Sequence, residues 1–137
     1  MRLATNTPLD KLLEGGIESD AITNIYGPPG SGKTNIVLST ALSCIASGKK
    51  VVYIDTEGSF SFDRFEQMGG KEDDLKKIIF VNVHDWGEQH RDIGKLEKLP
   101  DDIGLIVVDS MVALYRLEMD DRNFQAINKQ LATQYSI

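Results

Sequence analysis

Four short runs along this chain are rich in β-branched, aromatic and other apolar residues: Ala21 to Tyr26, Val51 to Ile54, Ile78 to Val83 and Leu105 to Val108. Apolar runs without alternation, such as Val51-Val52-Tyr53-Ile54, are how a strand buried on both faces of a sheet reads. Between the runs the apolar residues spread to helical spacing. Asn35 to Ser47 reads as a helix stopped by Gly48, and Phe62 to Met68 as a second, closed by Gly69-Gly70 and followed by a short charged turn. Glu88 to Leu99, with Ile93 and Leu96 spaced to face a sheet, makes a third, and Asn123 to Tyr135, with Phe124, Ile127 and Leu131 about a turn apart, a fourth. Strand and helix therefore alternate, which predicts an α/β domain with a mostly parallel sheet, flanking helices and right-handed crossovers. No repeat, low-complexity tract or linker interrupts the pattern.

At 137 residues the chain has the size of one domain, able to bury about two-thirds of its unfolded surface. No apolar run approaches 18 residues, so nothing is expected to span or enter a membrane, and Met1 to Asn6 lack the design of a secretory signal. A cytoplasmic location is the expectation. The single cysteine, Cys44, has no disulfide partner and lies in an apolar helical stretch, which suits a small buried hydrophobe. The net charge of −6 argues against nucleic-acid affinity through bulk charge, so any such contact must be local. Glu72-Asp73-Asp74 stand beside Lys71, Lys76 and Lys77, a solvated face of mixed charge. His84 and His90, six apart with no cysteine nearby, do not suggest a metal pair.

The chemistry concentrates where the first run meets the first helix. Gly27-Pro28-Pro29-Gly30-Ser31-Gly32-Lys33-Thr34 is a complete G-x-x-x-x-G-K-[ST] loop between an expected strand and an expected helix. Its glycines allow successive N–H groups to turn toward phosphate oxygens, and the helix N-terminus adds its unpaired donors and positive dipole end. Lys33 would carry a point charge to the β- and γ-phosphates, where it can also act in catalysis, and the Thr34 hydroxyl can ligate Mg²⁺. A nucleoside triphosphate is the expected ligand.

Two acids stand at the carboxyl ends of later strands, where ligands of open α/β sheets collect. Asp109 follows the apolar run Leu105 to Val108, as a Walker B acid would, and could hold Mg²⁺ directly or through water; alone it could equally be turn chemistry. Glu57, in Asp55-Thr56-Glu57-Gly58, could orient and polarise the water that attacks a γ-phosphate, or could be a turn acid satisfied by neighbouring N–H groups.

Together GPPGSGKT, VVYIDTEGSFSFDRF and LIVVDSMVALYR resemble the archaeal and eukaryotic recombinase family related to RecA, and within it the short archaeal paralogues. Thr7 to Ile17 resembles the opening of that family's ATPase core. The resemblance implies a RecA-type phosphate-loop ATPase binding ATP and Mg²⁺, with Glu57 as catalytic glutamate, Lys33 and Thr34 as phosphate and metal ligands and Asp109 as Walker B acid. It puts Arg64 where the family stacks an arginine on adenine, although Ser61-Phe62 replace the usual Arg-Pro, and Arg64 could instead pair with Asp63 or Glu66. Arg116 and Arg122 match the first DNA-contacting loop, with Arg122 beside Asp120 and Asp121, which partly cancel its field; a solvated loop arginine is the alternative.

The implied role is that of an accessory protein of DNA repair and homologous recombination with weak ATPase activity. It would bind single-stranded or branched DNA, and its partners would be a RadA-type recombinase or a junction-processing nuclease, with self-association also open. The alternative is a strand-exchange ATPase forming filaments on single-stranded DNA. A clock-protein-like ATPase is a third, disfavoured by a glutamate standing in DTEG. The resemblance further implies one RecA-like domain over residues 1–137, without a separate N-terminal DNA-binding domain. It implies too that the strand normally lying between the phosphate-loop strand and the Walker B strand falls beyond Ile137, so that the sequence is expected to be a fragment.

Overall fold

Strand β3 (Lys50–Asp55) is the axis of the molecule, with β4 (Ile78–Asn82) on one side and β5 (Ile103–Asp109) on the other, both parallel to it. The computed structural model describes residues 2–19, 21–27, 32–58, 60–111, 113–118 and 124–136. Because side chains alternate along a strand, the unbroken run in β3 serves two cores at once. Val51 and Tyr53 pack with Leu38, Ala41, Cys44 and Ile45 of α2 (Lys33–Ala46) and with Phe65 of α3 (Phe62–Gln67). Val52 and Ile54 face the opposite layer, where they meet Trp86 and Ile93 of α5 (Trp86–Gly94), Leu114 of α6 (Ala113–Glu118) and Ile127 of α7 (Phe124–Ser136). The result is a three-layer α/β/α arrangement.

Local chemistry explains where the elements start and stop. Ser61 caps α3 by accepting the Arg64 N–H at 3.3 Å. Asp85 caps α5 through the Glu88 N–H at 2.8 Å, while the Glu88 carboxylate reaches back to the His84 N–H at 3.0 Å, a reciprocal cap. Gly48, at φ 91°, ends α2 as expected. The four-residue helix α4 (Glu72–Leu75) is the charged turn read from the sequence, and a 3-10 turn over Lys95–Lys98 continues α5 to nearly the expected length. Cys44 is buried, and that burial pushes its thiol pKa up against the smaller opposing pulls of Gly104 and Lys49.

The first expected strand does not form. Residues 22–26 pair with nothing in either sheet, and Ile22 and Tyr26 are 61% and 93% exposed. A strand exists through its ladder, and a short run without a neighbour has no ladder to join. No direct pairing joins Ile25 to Val107; β5 pairs with β3 along one edge, and no ladder runs along its other edge among the described residues.

The sequence also gave no sign of a small antiparallel pair at the start of the chain, β1 (Arg2–Leu3) with β2 (Ile17–Glu18), flanking the short helix α1 (Leu9–Leu12). Gly16, at φ 137°, lets the chain pass so close to β1 that a Cβ there would fall 2.0 Å from the Leu3 carbonyl oxygen. The unit is tied to α2 by the Ser39 hydroxyl, which donates to the Thr5 carbonyl at 2.5 Å. Asp10 organises its turn, accepting from the Thr5 hydroxyl at 2.6 Å and from the Thr5 and Asn6 N–H groups, and the Thr5 hydrogen bonds lower its pKa. Among the described residues no helix is long and apolar enough to cross a membrane.

Candidate nucleotide site

The helix that carries Lys33 and Thr34 is aimed by its other end. The Cys44 thiol, in its last turn, lies 3.6 Å from the Lys50 carbonyl at the start of β3, and Gly104 near the start of β5 approaches that same sulfur. With ~1.5 Å rise per residue, α2 is about 20 Å long, close to the span of a six-residue strand. Its N-terminus therefore reaches the carboxyl ends of β3 and β5. Gly32 introduces the helix at φ 89°, a left-handed conformation that glycine adopts without strain, and its carbonyl accepts the Ile36 N–H at 3.1 Å. The Lys33 ammonium turns back to the Gly27 carbonyl at 2.5 Å, bridging the two ends of the loop. Pro28, Pro29, Gly30 and Ser31 lie outside the described residues.

At that carboxyl end the two strand-terminal acids are neighbours, Asp55 standing in register with Asp109. The Tyr53 hydroxyl donates to Asp109 Oδ2 at 3.4 Å, and the Thr56 N–H continues the ladder to the Asp109 carbonyl at 2.9 Å. One step further the two chains are clasped by side chain. Thr56 Oγ1 donates to the Ser110 carbonyl at 2.9 Å and accepts the Ser110 N–H at 2.8 Å, using both capacities of one hydroxyl. Asp55, buried, turns the following chain back on itself by accepting the Glu57 N–H at Oδ1 and the Phe60 N–H at Oδ2.

Glu57 is left exposed on the wall of a cleft of about 490 Å³ that Asp55, Thr56, Gly58, Asn82, Val83 and His84 complete. Besides Glu57 and Asp109, which the sequence marks as candidates, Asp55, Thr56, Ser110, Asn82 and His84 gather at these strand ends. The signal for Asp55 was available, since it ends an apolar run in the same way as Asp109.

The other expected residues fall differently. Arg64 is exposed on α3, takes no part in lining the cleft, and makes no ion pair with Asp63 or Glu66. Arg116 lies on α6, its side chain outside the description, and Arg122 lies outside the described residues. His84 and His90 serve separate places, the latter 3.3 Å from the Gln134 amide, and no metal-binding cluster occurs among the described residues. Trp86 belongs to the core, its indole N–H donating to Gln130 at 2.7 Å, as a packing role requires.

The family model for Rad51 matches residues 1–135. The chain belongs to the Rad51 family. Among its Rad51-family relatives, the "DNA repair and recombination protein RadB" of Methanococcus maripaludis is 46% identical over 132 residues, covering 93% of this chain and 61% of that protein. RadB of Methanobrevibacter smithii is 42% identical over 142 residues, covering 99% of this chain and 60% of the relative. A crystal structure of the RadB recombinase superposes with a TM-score of 0.79 at 40% identity, over 96% of this chain and 62% of that one. The chain thus spans about three-fifths of the length of these relatives. The RecA-like α/β fold expected from the sequence stands, apart from the first strand.

Proposed function

We propose that this chain is the ATP-binding part of a RadB-like protein of DNA repair and homologous recombination, a weak Mg²⁺-dependent ATPase that works beside a RadA-type recombinase. The reading is carried by Lys33 and Thr34 opening α2 after the glycine loop, together with Asp109 ending β5 and Glu57 following β3, two paired strands clasped just beyond their ends. That donor set fits a triphosphate and its cation. A glycine loop leading into a helix N-terminus suits phosphate oxygens, and a hydroxyl opposite a carboxylate suits a hard cation.

In this reading the phosphate loop, Gly27 to Thr34, binds the phosphates and Lys33 leaves the Gly27 carbonyl to meet the β- and γ-oxygens. Thr34 and Asp109 would hold Mg²⁺, whose charge would offset that of the phosphates. Glu57 orients the attacking water and takes its proton at the carboxylate. Arg64 lies over the adenine, and Arg116 and Arg122 contribute local DNA contacts. Such contacts fit a protein of net charge −6, which has no bulk attraction for a phosphate backbone.

The test is ATP turnover by the gene product carrying this chain, with and without single-stranded DNA. Slow turnover little changed by DNA fits the accessory role. Strong stimulation by DNA would favour a filament-forming strand-exchange ATPase, and no ATP binding at all would end both.

A further inference from the structure

A catalytic glutamate on an exposed loop has to be held in place, because a water-orienting group displaced by about an ångström loses much of its effect. Glu57 is exposed and follows β3 by two residues. What holds its loop is visible. Asp55 is only 6% exposed, yet its carboxylate points along its own chain and accepts two backbone N–H groups, from Glu57 at 3.1 Å and Phe60 at 3.3 Å. Its own carbonyl accepts the Val83 N–H at 3.1 Å, so the residue is fastened to the chain leaving β4 while its side chain fastens the loop. Thr56, between the two acids, is locked to Ser110.

The geometry points to Asp55 as the positioning residue for Glu57: a buried carboxylate that fixes the backbone of the water-orienting loop relative to the strand end bearing Asp109. This rests on the catalytic reading of Glu57 given above. The cost of burying a carboxylate beside Asp109 favours such a role over simple turn formation, since a neutral asparagine or serine caps turns without that cost. A carboxylate side chain offers a separate acceptor oxygen to each of the two amides. Asparagine keeps the shape and one acceptor but presents an NH₂ group to the second N–H.

The experiment pairs D55N with E57Q in the gene product carrying this chain. Amide hydrogen exchange of D55N should be faster at Glu57 and Phe60, by on the order of tenfold, with β3 unchanged. ATP turnover should fall about tenfold in kcat with KM for ATP within about twofold. In the E57Q background, adding D55N should cost less than about twofold, because the group it positions is already gone.

Unchanged exchange at the two amides overturns the proposal, as does an equal loss of kcat in both backgrounds. A rise in KM or in the Mg²⁺ requirement, with kcat kept, overturns it too and makes Asp55 a ligand of the nucleotide complex. If E57Q alone leaves turnover intact, the catalytic reading of Glu57 fails and Asp55 has no catalytic group to position, whatever the exchange shows. Should D55N not fold, Asp55→Ser, which offers one acceptor and no steric conflict, is measured in the same way.

Discussion

The carboxyl end of β3 and the stretch that leads into the phosphate loop supply the two walls of the proposed site, and they hold their places by different means. β3 is buried on both faces and paired along both edges, and the residues that follow it are bonded to β5 through the Thr56–Ser110 clasp and to themselves through Asp55. Residues 22–26 are exposed and join no ladder, and Gly27 after them is bonded to Lys33 at the start of α2. One wall of the site is therefore set by the fold before any ligand arrives. The other depends on a helix N-terminus, whose N–H groups would, on the proposed reading, be taken up by a bound phosphate.

The comparison breaks most sharply at Lys33. Lys33→Ala removes the positive charge from the loop wall and should abolish measurable ATP binding in a direct titration, a loss of at least about a hundredfold, while leaving the circular dichroism spectrum of the sheet unchanged. Glu57→Gln acts on the other wall. It should keep ATP affinity within about twofold and slow hydrolysis by on the order of a hundredfold in single-turnover measurements. Equal loss of binding in both variants would remove the distinction between the walls.

A smaller effect probes what aims the helix of the loop wall. A Cβ at Gly104 would lie 2.7 Å from the Lys49 Cβ and 2.8 Å from the Cys44 sulfur, where β5 passes the end of α2. Gly104→Ala should destabilise the fold by about 1–3 kcal/mol in denaturant titration. Such a shift also tests whether α2 is aimed from that end, because ATP affinity should weaken along with stability.

The smallest effect expected is at Asp10, far from the strand ends. Its hydrogen bonds from Thr5 set its pKa below the unfolded value, so its contribution to stability is present above the ordinary carboxylate range and is lost as pH falls through the lower, folded value. The Tm of the natural chain should therefore fall on acidification slightly more steeply than that of Asp10→Asn, with the two nearly parallel from pH 6 to 8.

Much of this arrangement can be read from residue order alone, and the exceptions have physical causes. The run Val51 to Ile54 ending in Asp55, and Leu105 to Val108 ending in Asp109, announce buried parallel strands because they are short, rich in β-branched residues and flanked by polar ones. The phosphate loop declares its ligand through spacing. Ala21 to Tyr26 misleads because its composition reports a preference, while a strand needs a partner that composition does not name. Gln89, fully buried with its amide donating to the Met111 carbonyl and to Gln134, was invisible for a related reason: a glutamine in a polar helix face reads as solvated. The Thr56–Ser110 clasp joins residues 54 apart, and no local pattern reveals such a contact. Arg64 shows a different limit, since family resemblance supplied its role and the local cap of Ser61 supplies its observed place on α3.

The most direct test of the unequal walls is amide hydrogen exchange of the gene product carrying this chain, measured with and without Mg²⁺-ATP. Strong new protection is expected at the amides of Gly30 to Thr34, and little change at Thr56, Val83 and Ser110, whose amides already have partners. Protection that appears at the strand ends but not in the phosphate loop would contradict the unequal walls.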